Sequence, residues 1–95
     1  MHPEHPPAAL FHWDDANRRH LARHVVSSQE AEQCYRNDPL ILEEQFIDGE
    51  LRYLALGETG AGRRLAFVFT TRGARVRIVT AYAMTPRQQE IYEEG

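Results

Sequence analysis

The stretch RLAFVFTTRGARVRIVTAY, Arg64 to Tyr82, decides the fold. Two runs rich in aliphatic, aromatic and β-branched residues, Arg64 to Thr71 and Arg75 to Tyr82, flank a break at Arg72-Gly73. Gly73 can supply the positive φ that a short loop between antiparallel strands needs, so the stretch predicts a β-hairpin. Upstream, Leu40 to Phe46 and Leu51 to Leu56 have the same character and are set off by Asp48-Gly49 and by Gly57 to Gly62. The connections are too short for parallel crossovers, which predicts a four-stranded antiparallel meander. The two central strands are apolar on both faces, so helices or a partner chain must cover each side.

Three helices complete the pattern. Asp14 can accept the orphan amides of a helix running from about Asp15 to His24, in which Ala16, Asn17, His20, Leu21 and His24 share a half-apolar face. Ser27 and Glu30 form a capping box that opens a second helix, with Val26 and Ala31 as its hydrophobic staple and Asn37-Asp38-Pro39 as its end. Thr85, Pro86 and Gln88 open a third, which ends near Gly95. The expected fold class is α+β, with two N-terminal helices, the meander and a short C-terminal helix. Residues 1 to 10 hold three prolines and are expected to form a disordered tail, leaving residues 11 to 95 as one domain.

Composition narrows the function classes. A chain of 95 residues has room for one core, and 42% apolar with 26% charged residues excludes a disordered or disulfide-built protein. Cys34 is the only cysteine, and its spacing to Ala31 and Tyr35 suits a buried helix face. The start MHPEHPPAAL lacks the features of a signal peptide, and no apolar run is long enough to span a bilayer. A cytoplasmic protein without membrane attachment is expected. Gly57, Gly60 and Gly62 precede a strand instead of a helix, which argues against a phosphate-binding loop and a nucleotide-dependent enzyme.

The net charge of −3 hides an uneven distribution. Ser28 to Glu58 holds eight acids and two arginines, a balance of −6. Thr59 to Gln89 holds six arginines and no acid, a balance of +6. Arginine presents a planar donor fork suited to phosphate, so an anion-facing sheet is one reading. Solvated charges that discourage aggregation at strand edges are the other.

Several segments, in order, resemble the BrnT family of type II toxin-antitoxin ribonucleases. FHWDDANRRHLARH resembles the pattern W-D-x-x-N-x-x-H-x-x-R-H, matched by Trp13, Asp14, Asn17, His20, Arg23 and His24. RYLALGETGAGRRL resembles the family's second and third strands through Arg52, Tyr53, Gly57, Gly62 and Arg63, and RVRIVTAYAMTPRQQEIY resembles its ending through Arg77, Thr80, Ala81, Met84, Thr85 and Tyr92. The resemblance covers Phe11 to Tyr92. It implies a fold related to RelE-like ribonucleases and inhibition by an adjacent ribbon-helix-helix antitoxin, whose dimer would join two copies of this chain. Three departures make the chain a divergent member: Tyr82 stands where the family usually has arginine, Val25 replaces a glycine, and PRQQEIYEEG is less basic than the usual last helix. Losing cations weakens phosphate binding.

His20 and His24 lie one helical turn apart and can serve as acid and base, or as hydrogen-bonded packing residues. Arg63 and Arg77 suit the charge of a phosphorane, and these four are the expected catalytic set. Asn17, Arg52, Arg64, Arg75, Thr80 and Tyr82 are the expected RNA contacts, although strand aromatics such as Tyr82 and Tyr53 are often core. Arg77, between Val76 and Ile78, points to the face that Val79 and Ala81 would otherwise make apolar, and there it must meet a carboxylate, a partner, a phosphate or water. Trp13 should pack the first helix onto the sheet. No third ligand, HExxH motif or cysteine pair accompanies the histidines, so no metal or other cofactor is expected. The alternative function is a catalytically inactive binding module that keeps the antitoxin-docking surface.

Overall fold

A computed structural model describes residues 10–95. The chain runs α1 (Asp15–Arg23), α2 (Ser28–Arg36), β1 (Leu40–Ile47), β2 (Glu50–Glu58), β3 (Arg64–Arg72), β4 (Arg75–Ala83) and α3 (Pro86–Glu94). The N-terminal tail expected over residues 1 to 10 lies outside the described residues except for Leu10, which packs against the core. The α+β class and the order of elements match the sequence reading.

Each helix starts with a reciprocal capping box, which satisfies two orphan amides at once. Asp14 pairs with Asn17, Ser27 with Glu30, and Thr85 with Gln88. These contacts span three residues, so composition alone decides them.

The strands follow one another across the sheet in the order β1-β2-β3-β4, all antiparallel. Asp48 and Gly49 both take positive φ at the first turn, as a tight two-residue hairpin loop requires, and Gly73 does so at the last. Gly57 serves a different need. A Cβ there would stand 3.0 Å from the Cys34 carbonyl oxygen, so only glycine lets α2 approach β2 this closely.

One face of the sheet carries Ala55, Leu65, Phe67, Phe69, Val76, Ile78 and Ala81 against Leu21 of α1 and Ala31 and Cys34 of α2. The other carries Leu40, Leu54, Leu56, Ala66 and Tyr82 against Met84 and, from α3, Ile91 and Tyr92. The chain's own helices therefore account for both apolar faces of the central strands. Trp13 is half-buried against the first core, and its indole N–H donates to Glu32 Oε2 at 2.7 Å, tying the entrance of α1 to α2.

The register of β4 differs from strict alternation. Val68 faces Thr80 while Phe69 faces Ile78, leaving Val79 as an extra residue in a bulge. Ala81 thereby joins the first core, whereas Thr80 and Tyr82 fall on the face of Arg77, opposite Val68 and Ala66. The expectation that Ala81 lines the Arg77 face is corrected, because an inserted residue exchanges inside for outside beyond it.

Candidate active site

α1 lies along the outer side of β4. Asn17, 1% exposed, fixes it there: its Oδ1 accepts from the Asp14 amide, and its Nδ2 donates to the carbonyls of His12 and Ile78. A buried amide with oxygen and nitrogen both engaged is a brace, and Asn17 lies beneath the surface. His20 on α1 and His24, the residue that caps its C-terminal end, are both exposed. The His24 ring lies 5.9 Å from that of Tyr82, which brings the end of α1 to the Thr80 and Tyr82 side of β4. Among the described residues no hydrogen bond or ion pair engages either imidazole.

Tyr82 is positioned from the other side by α3. Gln88 spends its Oε1 on the Thr85 amide, and its Nε2 donates to the Tyr82 hydroxyl oxygen at 3.2 Å. The phenol accepts from Gln88 and so keeps its own proton for a third group.

Arg77 is 13% exposed and meets a carboxylate: its two terminal nitrogens donate to Asp14 at 2.8 and 3.3 Å. These hydrogen bonds, with that from the Asn17 amide, hold the Asp14 carboxyl well below the usual carboxylate range. His12 Nε2 lies 4.0 Å from the same carboxylate. The sequence identified Asp14 as a cap but gave no sign of this second role, since the partner lies 63 residues away.

The remaining expected residues are dispersed. Arg63 holds the turn between α1 and α2, donating to the carbonyls of Val25 at 2.7 Å and His24 at 3.4 Å and to Glu30 at 3.0 Å. Glu30 is held below its ordinary range by the Ser27 amide and then by Arg63. Arg52 and Arg72 share Glu50, each at 3.1 Å. Arg64 meets Glu93 at 2.8 Å and Glu58 at 3.9 Å and stacks over Tyr92, beside a cavity of about 600 Å³ also lined by Asp38, Leu40 and Gly95. That cavity contains no other expected site residue. Arg75 is exposed, with no acidic partner among the described residues.

Five of the six arginines between Thr59 and Gln89 therefore face acids, Arg87 with Glu90 being the fifth pair. The charge excess of this segment is largely compensated, by Glu30, Glu50 and Glu58 of the acidic segment and by Asp14, Glu90 and Glu93 outside it. The cations left without an acid among the described residues are Arg75 and, on α1, Arg18, Arg19 and Arg23. Those three were legible in RRHLAR as a basic helix surface beside the histidines.

Among the described residues no group of three or more His, Cys, Asp or Glu side chains is arranged to hold a metal ion. None of their helices is long and apolar enough to cross a membrane. A family model described as the ribonuclease toxin BrnT of type II toxin-antitoxin systems matches residues 13–88, from the entrance of α1 to the first turn of α3. No curated protein matches the chain.

Proposed function

The chain belongs to the BrnT family of ribonuclease toxins of type II toxin-antitoxin systems, and from that premise we propose that it cleaves RNA without a metal ion, by internal attack of the ribose 2'-hydroxyl. One imidazole of the His20 and His24 pair takes the 2'-hydroxyl proton as that oxygen bonds to phosphorus. The other gives a proton to the 5'-oxygen as its bond to phosphorus breaks. The products are a 2',3'-cyclic phosphate and a 5'-hydroxyl. The observation that carries the reading is the placing of His24 against Tyr82, on the sheet face that also bears Thr80 and Arg77.

Arg77 offers charge to the phosphorane. Asp14 engages two of its N–H donors, and a guanidinium has five. The hydroxyls of Tyr82 and Thr80 and the free guanidinium of Arg75 contact the RNA backbone, with Arg52 and Arg64 farther along the sheet. Asn17 and Arg63 act as positioning residues: one fixes α1 to β4, the other fixes the turn that follows His24. The protein acts in the cytoplasm and is held inactive by an antitoxin of the ribbon-helix-helix type, whose dimer brings two toxins into one complex.

One observation favours a second reading, a binding module without cleavage: most arginines of the expected phosphate surface are already neutralised by acids. Incubating the purified protein with cellular RNA in a chelator, with and without ribosomes, separates the two. Fragments ending in 2',3'-cyclic phosphate support the ribonuclease. Intact RNA in both arms leaves the binding module.

A further inference from the structure

The sheet has two edges, and they are treated differently. At β4, Phe11 bridges to Val76, the His12 amide donates to the Val76 carbonyl at 2.8 Å, and α1 continues the cover. β1 pairs with β2 alone, so its outer row of amides and carbonyls meets no strand among the described residues. Such a row is a template for another extended segment.

The side chains along this edge are unusual for an exposed strand. Five large hydrophobic residues are exposed among the described residues, and four lie here: Ile41, Phe46 and Ile47 in β1, and Leu51 in β2. Phe46 is 75% exposed and stands directly opposite Leu51, so the two form one apolar patch. Glu43, Glu44 and Asp48 are exposed beside it, and among the described residues none of them meets an arginine or histidine. Glu50 at the same end is already shared by Arg52 and Arg72. The edge is thus apolar and uncompensated in negative charge, whereas the α1 side carries the unpaired arginines.

These features distinguish between occupants. A second copy of this chain, paired antiparallel about the middle of β1, would set Glu43 and Glu44 against Glu44 and Glu43 without a cation between them, and like charges directly opposite destabilise a ladder. An extended segment combining lysine or arginine with apolar residues meets no such repulsion. We propose that β1 is the docking edge for a basic, partly apolar segment of the antitoxin. The segment adds to the sheet as a fifth strand, covers Phe46 and Leu51, and sets its cations beside Glu44 and Asp48. This rests on the reading of the chain as the toxin of a pair.

The test uses the full chain with the product of the neighbouring antitoxin gene. Hydrogen exchange is expected to slow by at least about tenfold over residues 40–47 in the complex. Phe46→Asp, at a position too exposed to support the core, is expected to weaken binding by at least about tenfold with thermal unfolding unchanged. Glu44→Arg combined with Asp48→Arg should weaken it further and reduce its salt dependence. Tight binding with residues 40–47 unprotected and Phe46→Asp silent overturns the docking edge and leaves the antitoxin reading in place. Protection of the same residues by concentration alone, without antitoxin, makes a second copy the occupant and overturns the proposal. Failure of the antitoxin to bind anywhere removes both readings.

Discussion

Arg77 and Asp14 form a two-pronged ion pair in which the residue that caps α1 is also the anchor of β4. Asp14 therefore titrates far below an ordinary carboxylate, chiefly through the hydrogen bonds from Arg77. A depressed folded-state pKa contributes stability that is complete above the unfolded carboxylate range, about pH 4, and is lost as the pH falls below it. Asp14→Asn keeps a good cap and removes the charge. It should be less stable than the parent in urea at pH 7, and the gap should narrow by pH 3. An equal gap at both values would show that the ion pair contributes nothing.

The histidines should separate chemistry from folding. His20→Ala and His24→Ala are each expected to lower RNA cleavage by about 10²- to 10⁴-fold, the range of general acid-base assistance, with unchanged thermal unfolding because both side chains are exposed. Cleavage within twofold of the parent in both variants would remove them from the reaction.

Arg63 and Arg75 should behave oppositely. Arg63→Ala releases the carbonyls of Val25 and His24 and leaves Glu30 with the Ser27 amide alone, and is expected to destabilise the fold by about 1–2 kcal/mol, the low figure reflecting its partial exposure. Arg75→Ala should leave stability unchanged while flattening the salt dependence of RNA binding by about one counterion. Filter binding across a salt series, beside urea denaturation, reads both effects.

Val25 holds a positive φ of 55° and is 80% exposed, an arrangement that strains a β-branched side chain and packs nothing. Val25→Gly should relieve about 1–2 kcal/mol of strain against a smaller loss through the unfolded chain, raising Tm by a few degrees. A lowered Tm would mean that the Val25 side chain makes a contact of its own.

Burial pushes the Cys34 thiol up to about 12, so almost no thiolate exists at neutral pH. Ellman's reagent should leave the native protein unmodified for hours and react within minutes in denaturant. Rapid labelling of the native state would place Cys34 outside the core.

What the sequence made legible was local. The three caps are read from residues three apart, and the meander from strand composition and short turns, because nearest neighbours in the chain make those contacts. The Val79 bulge was not legible, since nothing in VRIVTAY marks which residue will be skipped, and with it went the grouping of Arg77, Thr80 and Tyr82 on one face. Nor were the partners of the arginines: Arg63 finds Glu30 across 33 residues, Arg64 finds Glu93 across 29, and Arg77 finds Asp14 across 63. Charge segregation along the chain suggested a cationic face, but folding sets five of those six arginines beside acids drawn from before, within and after the acidic segment.

The docking of α1 on β4 sets an order of events during synthesis. The helix that carries His20 and ends at His24 leaves the ribosome early, yet Ile78, Arg77 and Tyr82, which hold it in place, are made near the end. The two hairpins can close as soon as their own residues emerge, whereas α1 must wait for the last strand and close a long loop to reach it. A chain interrupted before β4 would carry α1 undocked, with His24 away from Tyr82 and Asp14 without Arg77.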